Sequence, residues 1–285
     1  MRHNAAVTLN RLAALPRPLA FVLPGGGALG AWQVGILKAV TEHGVVPDLL
    51  IGVSAGSVNA SLFAWNSDVD ALRRLEGVWR SIRRRDLLRV NPARIALAAT
   101  GRRPSFIDNR HGEAFLRRHL GRRLLEDAPI RLGVVATDLT TGRPLLLTHG
   151  DAASAVVASS AFPGVYPPVT RDGLTLIDGG VTADIPLDQA VAMGARSALV
   201  ISVPMLSESP APTRAIDILF RASTFGVEAH GRTTMARPPA DLEVVEIPTP
   251  PSAITTFAVG RTAMVIDEAY TSTTAWLASP WTTTD

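Results

Sequence analysis

Ser54 sits in Gly52-Val53-Ser54-Ala55-Gly56, the spacing of a serine displayed on a sharp turn between a strand and a helix. Such a turn lifts the hydroxyl above the sheet, and small residues two positions to either side are needed because the turn crowds them. The helix that follows aims its free N–H groups at the site, which favours developing negative charge. A second element, Gly25-Gly26-Gly27-Ala28-Leu29-Gly30, offers a run of backbone N–H groups. It reads either as an oxyanion hole or as a dinucleotide fingerprint, and glycine clusters also form plain tight loops. The third is Asp178-Gly179-Gly180. Asp-Gly is an ordinary turn signal, yet here it closes an apolar run, where a general base on a sheet would stand.

The elements that must carry these residues are legible as periodicity. Leu19 to Leu23 is a short apolar run stopped by Pro24 and the glycines. Ala31 to His43 carries Trp32, Ile36 and Val40 at helical spacing, with Gly44 as the stop. Leu49 to Ile51 is the next strand, and a helix starting near Ser54 presents Val58, Leu62 and Trp65. Strand, helix, strand predicts a sheet that is parallel at its start. Further strands are expected at Arg131 to Thr137, Pro144 to Thr148, Leu174 to Ile177, Ala198 to Val203 and Glu243 to Ile247. Helices are expected at Asp188 to Met193 and from Ile254 toward Leu277. A dinucleotide site would need an acid at the end of the second strand. Asp48 precedes that strand, and the strand ends in the serine turn, which disfavours that reading.

Composition narrows the classes. The chain has 285 residues, 47% of them hydrophobic and 19% charged, enough for a sizeable core. Absence of Cys excludes disulfides, thiolate metal sites and a cysteine nucleophile. The six histidines share no ligand spacing, so neither metal nor cofactor is expected. No secretory signal and no apolar run suited to a membrane span is visible, which suggests a cytoplasmic protein with peripheral membrane contact. The net charge of +3 hides a concentration of 15 arginines against four acids from Arg73 to Arg123. This stretch reads as a solvated helical face or as a contact for anionic phospholipid headgroups. Its few aromatics argue against nucleic acid.

The three elements, in this order, resemble the patatin-like phospholipase family. The resemblance covers roughly Pro18 to Val203. It includes Gly30 to Leu37 after the loop, Gly52 to Ala60 around the serine, and Ala136 to Gly142. It continues through Ser159 to Pro168 and on to the Asp-Gly-Gly. It implies a three-layer α/β fold with a mainly parallel central sheet flanked by helices. On this view residues 1–285 form one domain, with an Arg-rich helical insertion at about 66–130 and a divergent C-terminal region at 204–285. The implied activity is a serine lipid acyl hydrolase acting on phospholipid or another acyl ester. Ser54 would be the nucleophile and Asp178 the general base, and the N–H groups of Gly25, Gly26 and Gly27 would hold the oxyanion. Gly30, Gly52, Gly56, Gly179 and Gly180 would support the motifs. A buried Asp178 is expected to have a raised pKa.

Two positions depart from the family's pattern. Leu29 stands where many members carry Arg or Lys, which leaves the loop only its backbone role. Asp184, before Ile185-Pro186, replaces the usual Asn and changes the charge near Asp178. Two rival readings stay open at this point. Ser54, Asp178 and His230 fall in the chain order of a Ser–Asp–His triad, although His230 looks like a surface residue at a helix end. A non-catalytic or activator-dependent lipid-binding protein on the same fold would carry the same motifs.

Overall fold

A computed structural model describes residues 7–65, 69–83, 91–205, 211–213, 215–251 and 259–281. In chain order, α1 (Val7–Ala13) leads into β1 (Leu19–Leu23), α2 (Gly30–Glu42), β2 (Leu49–Val53) and α3 (Ala55–Ala64). Among the described residues three helices follow: α4 (Val69–Ser81), α5 (Pro92–Ala99) and α6 (Arg110–Leu120). Then come β3 (Arg131–Asp138), β4 (Pro144–Leu147), α7 (Ala152–Ser159), β5 (Val169–Arg171) and β6 (Leu174–Asp178). The chain continues through α8 (Gly180–Ala183), α9 (Leu187–Ala192), β7 (Ser197–Val200), α10 (Ala215–Ala236), β8 (Glu243–Glu246) and α11 (Thr262–Leu277).

All eight strands join one sheet in the order β5-β6-β3-β2-β1-β7-β8, with β4 also paired to β3. Strands β3, β2, β1, β7 and β8 run parallel, and β4, β5 and β6 add antiparallel pairings. Every residue of β1 and β2 is buried, as expected for strands with helices on both faces. Alternation divides their side chains between two cores. Leu19, Phe21, Leu23 and Leu50 enter one with α2, α3, α4 and α7. Ala20, Val22, Leu49, Ile51 and Val53 enter the other with Ile185, Leu187, Ala190 and Met193 around α9. Helix, sheet, helix is the three-layer arrangement expected from the sequence.

α2 is buried on nearly every side because α11 covers its outer face. α4 contributes Leu72, Leu75 and Trp79 to the same core, so the apolar face of this arginine-bearing helix looks inward. The helix expected from Ile254 is seen from Thr262, and residues 252–258 lie outside those described. Two helices that the sequence reading did not assign, α7 and α10, flank the region of the motifs.

The candidate active site

The register of β3 explains how Ser54 and Asp178 come together. Val53 at the end of β2 lies opposite Val135, and Asp178 at the end of β6 lies opposite Ala136. Since β4 pairs with both of these β3 residues on the other edge, β2 and β6 meet end to end along one edge. One strand runs parallel to β3 and the other antiparallel, so their C-terminal ends converge. Ser54 Oγ donates a 2.7 Å hydrogen bond to Asp178 Oδ2 across 124 positions of sequence.

Ser54 itself stands between β2 and α3 with φ 50° and ψ −121°, a conformation that disfavours any residue with a Cβ. Neighbours hold it there. Its backbone N–H donates to Ser159 Oγ at 2.9 Å, and Ser159 Oγ donates in turn to the Val135 carbonyl. Its carbonyl accepts from Ser57 N–H and Ser57 Oγ. The crowding expected around the serine is real: a Cβ on Gly56 would lie 2.0 Å from the Leu23 carbonyl oxygen, and one on Gly52 would lie 2.5 Å from the Gly56 oxygen.

Asp178 is 3% exposed and its Oδ1 accepts the Gly180 N–H at 2.9 Å. Burial pushes its pKa up to about 6, against the bonds from Ser54 and Gly180, which lower it. That is the direction the sequence reading expected, and the shift makes the carboxylate a better proton acceptor. Gly179 precedes α8 and Gly180 begins it, whereas Gly30 begins α2 close against Ala55 and Trp79.

The glycine loop faces the serine, but its three amides are not equivalent. Gly25 N–H already donates to Asp184 Oδ1 at 3.1 Å, so it is not free for an oxyanion as the sequence reading supposed. The physical reason is that Asp184 stands across from the loop and fills the space beside Gly25. No bond from the N–H groups of Gly26, Gly27 or Ala28 occurs among the described residues. Burial raises the pKa of Asp184 to about 7, and the charges of Asp178 and Glu228 push the same way, against the Gly25 bond.

Above these groups opens a largely apolar cavity of about 270 Å³. Val58, Trp79, Phe115, Leu116, Val157 and Phe162 are among the side chains lining it, and Ser54, Asp178 and the loop form its polar end. Val227 and Glu228 of α10 close one side. His230, on the same helix, is exposed and does not line the cavity. It lies within α10 rather than at a helix end. The sequence placed Ser159 in a family-like segment without marking its role, and of α10 it showed only a helix end near His230. Among the described residues no group of three or more His, Asp or Glu could hold a metal. No helix among them is long and apolar enough to cross a membrane.

The family profile of the patatin-like phospholipases matches residues 21–191, which include the loop, Ser54 and Asp178. The chain belongs to the patatin-like phospholipase family. The mouse patatin-like phospholipase domain-containing protein 7 is 32% identical over 208 residues, or 71% of this chain and 15% of the mouse protein. An NTE family protein of Mycobacterium tuberculosis is 30% identical over 207 residues, 72% of this chain and 53% of that one. A lysophospholipase of Yarrowia lipolytica is 27% identical over 210 residues, 70% of this chain and 14% of its own. The chain thus spans a small part of the mouse and Yarrowia proteins, and about half of the mycobacterial one. Among solved structures, VipD from Legionella pneumophila aligns with 89% of this chain and 67% of its own at 15% identity and a TM-score of 0.42.

Proposed function

We propose that this patatin-like chain is a serine lipid acyl hydrolase that works through a Ser54–Asp178 dyad. The observation that carries the reading is the 2.7 Å bond from Ser54 Oγ to a buried carboxylate at the polar end of an apolar cavity. In the first step Asp178 takes the Ser54 proton as Oγ forms a bond to the acyl carbon. The N–H groups of Gly26 and Gly27 receive the negative charge on the carbonyl oxygen. Collapse breaks the ester C–O bond, and Asp178 returns its proton to the departing alcohol oxygen. Water then gives a proton to Asp178 as it adds to the acyl-serine, collapse breaks the acyl C–Oγ bond to release a fatty acid, and Asp178 returns the proton to Ser54 Oγ. The apolar lining would take the acyl chain, gaining about 0.8 kcal/mol for each methylene removed from water.

Contact with an anionic lipid surface through the Arg73 to Arg123 region belongs to the same reading. Several of its arginines have partners within the chain: Arg73 with Asp70, Arg80 with Glu76 and Asp267, and Arg117 with Glu113 and Asp151.

The test is fatty-acid release from short and long acyl esters, a phospholipid among them, by the intact protein and by Ser54→Ala, Asp178→Asn and His230→Ala. Activity lost in the first two and kept in the third supports the dyad. Loss in a folded His230→Ala would favour a triad. An intact protein inactive on every ester would leave the lipid-binding reading.

A further inference from the structure

Four acids, Glu113, Asp178, Asp184 and Glu228, line the cavity, and the dyad uses only Asp178. Asp184 follows α8 and reaches back over the active site. The space above Gly25 shows how close it comes: a Cβ there would lie 3.0 Å from Asp184 Oδ1 and 3.4 Å from Ser54 Cβ. A Cβ on Gly180 would lie 3.3 Å from Asp178 Oδ1 and 3.4 Å from Asp184 Oδ1, so the two carboxyl oxygens are at most about 7 Å apart. The groups facing Asp184 can be named element by element. The loop after β1 offers the Gly25 N–H, the end of β6 offers Asp178, and α10 offers Glu228 and the backbone at Gly231. Both charged groups acting on it are therefore acids. His230 and Arg232, on either side of Gly231, are exposed.

We propose that Asp184 is a positioning residue that works as a neutral acid, its uncharged carboxyl holding the glycine loop beside Ser54, and that its ionisation turns the site off. This rests on the hydrolase reading above. A protonated carboxyl can accept the Gly25 N–H at Oδ1 without adding charge to the site. Once ionised, it becomes a second anion in contact with the loop whose amides must receive the oxyanion. During the reaction, negative charge leaves Asp178 and arrives at that loop, so a carboxylate already bonded there opposes the transfer. Asp178 must be deprotonated and Asp184 protonated at the same time. Activity therefore has two limbs, which report macroscopic values of the coupled pair.

The experiment is the pH dependence of kcat/KM on a soluble p-nitrophenyl butyrate ester, for the intact protein, Asp184→Asn and Glu228→Gln, with Ser54→Ala as the control. The intact protein is expected to give a bell, rising with Asp178 and falling as Asp184 ionises. Asp184→Asn keeps a neutral acceptor for Gly25 and should lose the falling limb, exceeding the intact protein by about tenfold or more near pH 8.5. Glu228→Gln removes an anion that favours the proton on Asp184, so the falling limb should move to lower pH. An unchanged falling limb in Asp184→Asn overturns the proposal. So does an equal loss at every pH, which would mark a purely structural brace. Ester hydrolysis that survives Ser54→Ala sinks the hydrolase reading instead. Should the intact protein cleave no ester, melting curves still test the proton. The Tm of Asp184→Asn relative to the intact protein should rise by several degrees between about pH 5 and pH 8, and a constant difference rejects it.

Discussion

Ser159 Oγ accepts the backbone N–H of Ser54 at 2.9 Å and donates its own O–H to the Val135 carbonyl at 2.6 Å. A residue from α7 therefore ties the serine turn to the middle strand of the site. Removing it would take from the Ser54 amide its hydrogen-bond partner and cut the link to the Val135 carbonyl. Ser159→Ala should destabilise the fold by about 1–3 kcal/mol and lower kcat more than it raises KM. Urea unfolding and ester kinetics on the same variant check both parts. A variant as stable as the parent would mean that the turn holds itself.

Asp178 should make the fold less stable as the solution becomes more alkaline. An unfolded carboxyl has a pKa near 3.8, and burial raises the folded value to about 6. The folded chain therefore holds this proton more tightly than the unfolded chain does. That stabilisation is complete below the unfolded value and is lost as the pH climbs through the folded one. Asp178→Asn cannot ionise, so relative to the intact protein it should gain about 2 kcal/mol between pH 4.5 and pH 7.5. Urea titrations at the two pH values supply the comparison. Parallel changes in the two proteins would contradict it.

The parts of the site legible in the sequence are those in which one short segment carries its own reason. Leu19 to Leu23 and Leu49 to Val53 are apolar runs ended by glycines or by the serine turn. Asp178 closes a third run, and its meeting with Ser54 follows once both strands pair with β3. Ser159 gave no such signal, because its task is a bond to a backbone amide 105 positions away. α7 is buried on almost every side, so its Ala- and Val-rich sequence has no polar face to reveal a helical period. The Gly, Ser and Thr residues of α10 have weak helix propensity, and its place over the cavity depends on packing. Asp184 was visible as a departure from the family's pattern, but its bond to Gly25 required the fold.

The backbone of Ser54 gives an unusual order of stabilities. Glycine normally destabilises a fold relative to alanine by leaving the unfolded chain freer. At φ 50° and ψ −121° the balance reverses, because a Cβ in that region is strained by about 1–3 kcal/mol. Ser54→Ala and Ser54→Gly both delete the hydroxyl and its bond to Asp178, so their difference isolates the backbone. Ser54→Gly should melt at the higher temperature. The reverse order would mean that the turn relaxes once the hydroxyl is gone.

The cavity makes a separate claim about chain length. Val58 projects from α3 into the space next to Ser54 and is only partly buried. Phenylalanine at this position would fill room that a long acyl chain needs, while leaving the Ser54–Asp178 bond and the glycine loop in place. If four methylenes lose their site, the loss is about 3 kcal/mol, or roughly a hundredfold in kcat/KM. Over a p-nitrophenyl series from butyrate to laurate, Val58→Phe should lower the long esters by tenfold to a hundredfold, with about threefold or less change for the shortest. Since kcat/KM compares transition states with free enzyme and ester, this selective loss would separate chain recognition from chemistry. A uniform decrease across the series would place the acyl chain elsewhere and leave this cavity without a role in substrate choice.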